Sequence, residues 1–562
     1  MCPLVLKPKK PLVTTGAHAA GGAVGGETSN LRPYQIEKLA PCMDACPQGT
    51  EIRRVLTTIA QAEKYEKPQD EAFDEAWRII AEKNPLPAVC GRVCPHPCEE
   101  KCNRDKKDGS VGINNIERFL GDWGLQRGLK PTFKTEEHYP EKIAVIGSGP
   151  AGLSCAYYLA RNGYKVTIYE AFPHPGGMLR YGIPAYRLPR DILDAEIERV
   201  LDLGVELKTG VVVGKDIPYT GLQAQYDAIF VGIGAHQGVK LRVPGEDVSN
   251  VYSGVTFLRL VNMDKPVETG DKVVVIGGGD TAIDAARVAL RLGAKVTLLY
   301  RRTRNEMPAI EEEIVGAEEE GVVFHFLAAP LEIITEDGKA VAMRCQRMEL
   351  GEPDASGRRR PVPIPGDEFT IPVTAVIAAV SQEPGWDGLD HLHTGRDWVK
   401  ADKLGETSIE KTFAGGDVLD LGLVTIALYQ GRRAAETIHR RFRGCELSEE
   451  SKLPVIPADK ITLTYYENVL RQECEKLAVE DRFKEPWVEI AKTLPEAAVI
   501  AEAKRCMSCG SCFDCGSCWS YCQDNAIIKP LQDGMPYKFK LEFCKGCNKC
   551  AENCPCGYLE MK

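Results

Sequence analysis

Hydrophobic and polar positions change their spacing several times along the chain, and the changes mark its elements. At Lys142–Glu170 a short apolar run, Ile143–Ile146, breaks at Gly147-Ser148-Gly149-Pro150-Ala151-Gly152, continues with helical spacing, and ends in a second run, Val166–Tyr169. A short apolar run bounded by turn residues predicts a strand buried on both faces, so the stretch reads strand, turn, helix, strand. The order returns at Lys272–Tyr300, with Tyr226–Gly234 and Val373–Val380 as further strands. The pattern predicts an α/β chain with two nested Rossmann-like folds: a first over 141–260 and 373–445, and a second, over 268–372, inserted into it.

The flanking segments read differently. Residues 1–30 mix Lys, Pro, Gly and Ala without periodicity and predict a flexible tail. Residues 31–135 are helical and carry cysteines; one helix around Asp74–Ile80 is expected to stop at Asn84-Pro85-Leu86-Pro87. Residues 446–500 read as a connecting arm, and 501–562 hold a second group of cysteines.

Composition narrows the partners. A net charge of -10 argues against nucleic acid, and no apolar run approaches the ~20 residues that span a bilayer, so a cytoplasmic protein is expected. The 22 cysteines cluster near the two ends, and their C-x2-C and C-x3-C runs in a chain of this length point to metal rather than to a disulfide framework.

The glycine turns carry the first chemistry. Gly147, Gly149 and Gly152 supply the tight turn, the close approach to a pyrophosphate and the helix–strand contact, with Pro150 and Ala151 opening the helix and Glu170 placed for an adenosine ribose. In the second fold Gly277, Gly279 and Ala282 take the equivalent positions, with Asp280 and Thr281 at the helix start. Gly416 and Asp417, followed by a helix near Thr425, suit a flavin whose pyrimidine edge meets the positive helix end. Arg301 and Arg302 stand where an NAD-specific fold places an acid, which favours NADPH over NADH through its 2′-phosphate.

Four segments carry a family resemblance: GGMLRYGIPAYRLP (Gly176–Pro189, containing the cofactor candidates Gly177 and Met178), GGGDTAIDAAR, YRRTRNEMPA and FAGGDV. Over residues 41–443 the chain resembles the small, or beta, subunit of NADPH-dependent glutamate synthase. The same module occurs in dihydropyrimidine dehydrogenase, in the large subunit of NADH-dependent ferredoxin:NADP oxidoreductase and in sulfite-reductase-linked iron–sulfur flavoproteins. The resemblance implies that FAD takes a hydride from NAD(P)H and passes single electrons to iron–sulfur clusters.

Cys512-x2-Cys515-x2-Cys518-x3-Cys522 and Cys544-x2-Cys547-x2-Cys550-x3-Cys554-Pro555 are two bacterial ferredoxin runs. In such domains the fourth cysteine crosses over, which assigns one [4Fe-4S] cluster to Cys512, Cys515, Cys518 and Cys554 and another to Cys544, Cys547, Cys550 and Cys522. Cys506, Cys509 and Cys556 are left over. Cys42, Cys46, Cys90, Cys94, Cys98 and Cys102 resemble the family's amino-terminal cluster domain, which implies a site from Cys46, Cys94, Cys98 and Glu117. The family's further C-x2-C falls here near Tyr34 and Glu37, so Cys42 and Cys102, with or without Cys90, could hold a second cluster only with help from a non-cysteine group. One or two N-terminal clusters are expected.

Neither nucleotide fold contains a cysteine pair, so electrons must leave through clusters rather than a disulfide. The reading is an NAD(P)H:acceptor oxidoreductase passing electrons to ferredoxin or a partner subunit within a larger complex, with no catalytic side chain named. Alternatives are a glutamate synthase small subunit, against which the ferredoxin extension speaks, and a non-enzymatic electron-transfer adaptor, against which the intact glycines speak.

Overall fold

The computed structural model describes residues 28–354, 357–393, 398–445 and 453–562. They form two compact units, one of Thr132–Cys445 with Lys476–Lys492, the other of the chain up to Pro131 with Glu446–Glu475 and Thr493–Lys562. Of the expected tail and arm, residues 1–27 and 446–452 lie outside the described residues.

The first unit holds two parallel sheets. In one the strand order is Thr412–Ala414, Ala228–Val231, Lys142–Ile146, Lys165–Glu170, Glu206–Thr209. In the other it is Val323–Phe326, Lys295–Tyr300, Lys272–Ile276, Ala375–Ala378, Val251–Ser253. Past the exposed Lys142 and Lys272 their central strands are apolar because both faces are covered: Ile143, Ala144 and Val145 are fully buried. The helix Pro150–Arg161 crosses over in the first sheet and Asp280–Arg291 in the second.

Both expected boundaries of the insertion are corrected. The strand expected over Val373–Val380 does not return to the first sheet; Ala375–Ala378 pairs in register with Val273–Ile276 and Val251–Ser253. A fully apolar strand fits any parallel sheet, so its pattern does not say which it joins; here Thr374 Oγ1 accepts the Lys272 amide at 2.8 Å and helps set the register. The insertion thus runs from about Val251 to Ala378, and the two connections lie side by side as the short antiparallel pair Gln237–Gly238 and Gln382–Glu383. An antiparallel sheet of Ala328–Glu336, Lys339–Pro353 and Arg359–Pro372, absent from the sequence expectation, fills out the insertion.

The segment Lys476–Lys492 belongs to this unit rather than to an arm. Its Arg482 reaches Glu319 at 3.0 Å and Glu320 at 3.4 Å. The Glu320 side chain is wholly buried and also pairs with Arg287 at 2.6 Å and Arg291 at 2.7 Å.

The second unit is built from both ends of the chain. The expected helix is longer than read, Gln69–Ala81, and buries Phe73, Ala76 and Trp77 on one face. Phe73 meets Phe119 and Trp123 of the helix Ile113–Gln126 edge-on, with ring centroids 4.9 and 5.1 Å apart. The strand Pro33–Gln35 pairs antiparallel with Leu559–Met561. Thr28 and Ser29, expected in the tail, both donate backbone bonds to the Lys545 carbonyl. One hydrophobic core contains Leu56, Phe73 and Phe119 together with Val499, Phe513, Ile527 and Leu559, so the two cysteine-bearing ends, read separately from sequence, are one body.

Candidate cofactor and cluster sites

In the first nucleotide fold Gly147, Gly152 and Gly177 stand where other atoms leave no room. Gly147 turns at φ +97°, and a Cβ on it would lie 2.4 Å from the Gly232 carbonyl oxygen. A Cβ on Gly152 would lie 2.0 Å from the Gly147 oxygen, and one on Gly177 would lie 2.7 Å from the Gly149 Cα. Pro150 opens the helix Pro150–Arg161, whose start has no side-chain cap. Its leading amides are therefore available to an anion beside Gly149 and Ala151. Glu170 is buried and accepts the Ser148 amide at 2.9 Å, the Ser148 hydroxyl, and the Phe172 amide at 2.8 Å. The acid expected at a ribose thus also holds the turn. Met178 begins the short helix that follows Gly177.

The second half of this cradle comes from the far end of the fold. Gly416, at φ +81°, donates its amide to Gln430 Oε1 at 2.7 Å. Asp417 accepts the Gly422 amide at 3.1 Å, and burial pushes its carboxyl up to about 6. Thr425 lies in the first turn of the helix Val424–Arg443, which also lacks a side-chain cap. Its Oγ1 is buried without a hydrogen-bond partner. A buried orphan hydroxyl costs about 1–3 kcal/mol, which a polar ligand edge at this helix end would remove. The residues fit a flavin dinucleotide.

The second fold opens a cleft of about 790 Å³ lined by Gly277, Gly279, Thr281, Tyr300 and Arg301 among others. Gly277 is at φ +149°, where a Cβ would lie 2.3 Å from the Ala379 oxygen. The helix Asp280–Arg291 starts uncapped, and Asp280 accepts the Ile310 amide at 2.9 Å, its carboxyl raised by burial. Ala282 packs fully buried behind the turn. The two arginines part company. Arg302 is buried against Asp354 at 2.7 Å and the Arg359 carbonyl at 2.7 Å, whereas Arg301 is exposed on the cleft wall.

The cysteines converge in four groups. Cys512, Cys515, Cys518 and Cys554 line one pocket with Phe513 and Tyr537, and Cys556 Sγ lies 3.8 Å from that of Cys554. Burial first, then the thiols of Cys544, Cys522 and Cys547, push Cys550 up to about 12. The fourth cysteine of each run therefore stands with the other run. Around Cys98, burial and then Glu99, Cys46, Cys94 and Glu117 raise the thiol. Glu117 is raised to about 7, chiefly by burial, and accepts Asn84 Nδ2 at 2.9 Å. Burial, followed by Cys102, Cys506 and Cys509, raises Cys42. Cys90 stands otherwise: its thiol donates to Asn84 Oδ1 at 3.6 Å, with Gln48 Nε2 at 3.9 Å.

Among the described residues no three His, Cys, Asp or Glu side chains are arranged to hold a single metal ion. A mononuclear zinc site would gather its thiolates about 2.3 Å from one centre.

Sequence reading missed Ser148, which ties Glu170 to the Gly176 amide, and Gln430, which steadies Gly416. Neither carries a motif signal. It also leaves Cys506 and Cys509 unassigned, although they have the C-x2-C spacing that the resemblance implies near Tyr34 and Glu37.

Comparison with known proteins agrees with this geometry. The family model of pyridine nucleotide-disulphide oxidoreductases matches residues 141–431, and that of the 4Fe-4S cluster domain II of dihydropyrimidine dehydrogenase matches residues 32–129. The chain is 42% identical over 461 residues to the NADP(+)-dependent formate dehydrogenase subunit beta of Moorella thermoacetica, matching 77% of this chain and 64% of that protein. It is 38% identical over 526 residues to the NADPH-Fe(3+) oxidoreductase subunit beta of Geobacter sulfurreducens, matching 86% of this chain and 76% of that one. The glutamate synthase [NADPH] small chain of Escherichia coli is 38% identical over 392 residues, 65% of this chain and 82% of its own length. The chain belongs to the pyridine nucleotide-disulphide oxidoreductase family, among the iron–sulfur flavoprotein oxidoreductases of the glutamate synthase small-chain type.

Proposed function

We propose that this chain is an NADPH:acceptor oxidoreductase subunit that passes electrons to a partner protein, either a partner subunit or ferredoxin. The observation that carries the reading is the pair of nested folds, each opening on an uncapped helix start beside a glycine turn, in a chain whose other unit gathers cysteines in fours. FAD, when bound, exchanges electron pairs with a nicotinamide and single electrons with iron–sulfur clusters. Gly147, Gly149, Gly152 and the leading amides of Pro150–Arg161 would receive its pyrophosphate, Glu170 its ribose, and Asp417 and Thr425 the flavin end. Gly277, Gly279 and Thr281 would receive the nicotinamide nucleotide, with Arg301 answering its 2′-phosphate. Arg302, committed to Asp354, shapes the wall rather than meeting the phosphate.

Three cluster sites follow the thiol groups: Cys512, Cys515, Cys518 with Cys554; Cys544, Cys547, Cys550 with Cys522; and Cys46, Cys94, Cys98 with Glu117. The printed names of the relatives, two of them beta subunits and one a small chain, support work alongside a larger subunit.

The test is an anaerobic titration of the purified chain with NADPH. Bleaching of the yellow flavin band, followed by transfer to a viologen dye, is expected. A chain without flavin, or one whose flavin neither nucleotide reduces, ends the reading.

A further inference from the structure

The chain's two ends meet at thiols that sequence spacing keeps apart. Cys42 and Cys102 come from the N-terminal helical region and lack the C-x2-C that the family places just upstream. Cys506 and Cys509 precede the first ferredoxin run and are surplus to it. In the fold these four are mutual neighbours: Cys102, Cys506 and Cys509 all act on Cys42, and Cys506 and Cys102 both act on Cys509.

Specific bonds hold them there. Arg53 Nη1 spans the Lys38 carbonyl at 2.8 Å and the Cys509 carbonyl at 2.9 Å, and the Lys38 amide bonds the Gly510 carbonyl at 2.9 Å. The segment carrying Cys509 is thereby fixed four residues upstream of Cys42. On the other side, Asn103 Nδ2 points at Cys509 Sγ at 3.6 Å, and Arg104 Nη1 donates to the Arg505 carbonyl at 2.7 Å. Cys102 and Cys506 are therefore each next to a residue that bonds across the junction. The Ser508 amide donates to Cys506 Sγ at 3.4 Å, the kind of contact that steadies thiolate charge at an iron–sulfur centre. All four thiols are free of disulfides.

We propose that Cys42, Cys102, Cys506 and Cys509 ligate a fourth [4Fe-4S] cluster, whose C-x2-C half is delivered by the C-terminal part of the chain. The inference rests on the iron–sulfur reading above. Cys90, engaged by Asn84, is not a ligand. The ferredoxin region is then a structural partner of the N-terminal cluster domain, because the latter's site is unfinished without it.

The test compares iron, acid-labile sulfide and electron paramagnetic resonance of the anaerobically purified full chain with a Cys506→Ala/Cys509→Ala variant. The variant is expected to lose about four irons per chain and one set of reduced-cluster signals, while the signals of the two ferredoxin runs persist. Cys509→Ser, close in volume, covers the case in which the double variant does not fold: serine ligation should shift the g values or potential of one signal. Unchanged iron and spectra in the double variant overturn the proposal, as does an unshifted spectrum in Cys509→Ser or zinc in place of iron at the site. Wild-type protein with no iron at all overturns the underlying cluster reading as well, which separates the two failures.

Discussion

The nucleotide unit and the cysteine unit are put together in opposite ways. Each nucleotide cradle starts from one continuous strand–turn–helix–strand stretch, Lys142–Glu170 or Lys272–Tyr300, with its helix start and its glycines within a few residues of each other. The cysteine unit has no such nucleus. Its core draws Phe73 and Phe119 from one end and Val499, Phe513 and Leu559 from the other. Damage to a nucleotide turn should therefore stay within its own fold, whereas damage at the junction of the two chain ends should cost several cluster sites at once.

The sharpest way to break that contrast is Glu502→Ala. The Glu502 side chain is wholly buried, accepts the Gly112 amide at 2.7 Å and the Gln472 amide at 2.8 Å, and pairs with Arg505 at 2.6 Å. Removing it leaves the Gly112 and Gln472 amides without their acceptor, at about 1–3 kcal/mol each, and takes one carboxylate from the buried Arg505, which keeps Asp108 at 3.3 Å. Iron content should fall while flavin content holds, measured on one preparation; equal loss of both would erase the contrast.

Gly152→Ala is the reciprocal experiment. Its Cβ would sit 2.0 Å from the Gly147 oxygen, and overpacking of this kind costs about 1–3 kcal/mol. Flavin should be lost with iron retained.

A smaller effect is expected from pH. Burial works to raise Glu320, but its hydrogen bonds and charge pairing with Arg287 and Arg291 outweigh that and hold it at about 2, below its ordinary 4.5. A depressed carboxyl contributes stability that is present above the unfolded value and is lost as pH falls from about 4.5 towards 2. Acid unfolding of wild type and Glu320→Gln should converge over that window; parallel curves would show the pairing to be inert.

The smallest change belongs to the cleft wall. Arg301→Ala should raise KM for NADPH about tenfold, about 1.4 kcal/mol, and leave NADH nearly unaffected, as steady-state kinetics would show. Arg302→Ala should instead lower stability, since Arg302 is tied to Asp354.

What the sequence made legible follows the same division. The two strand–turn–helix units were readable because both the pattern and the chemistry are local. Ala375–Ala378 lies in the second sheet rather than the expected first because an apolar strand with no polar face does not specify its neighbours. The three-stranded sheet from Ala328 to Pro372 went unread for another reason: its strands alternate irregularly and bulge, as at Pro330/Glu332 and Gln346/Met348. The ferredoxin runs were plain from spacing. The kinship of Cys42 with Cys506 was not, because spacing describes neighbours in the chain and that pair is made by folding.

The strand pair Pro33–Gln35 with Leu559–Met561 has a consequence for biosynthesis. Lys38 leaves the ribosome long before Gly557, the residue 519 positions on whose carbonyl its ammonium binds at 2.7 Å. The site proposed from Cys42, Cys102, Cys506 and Cys509 can therefore close only after Cys509 has been made, whereas Cys46, Cys94, Cys98 and Glu117 all lie well ahead of it in the chain. Cells short of iron-delivery capacity should accumulate flavin-loaded polypeptide whose nucleotide folds are closed and whose joined ends are open.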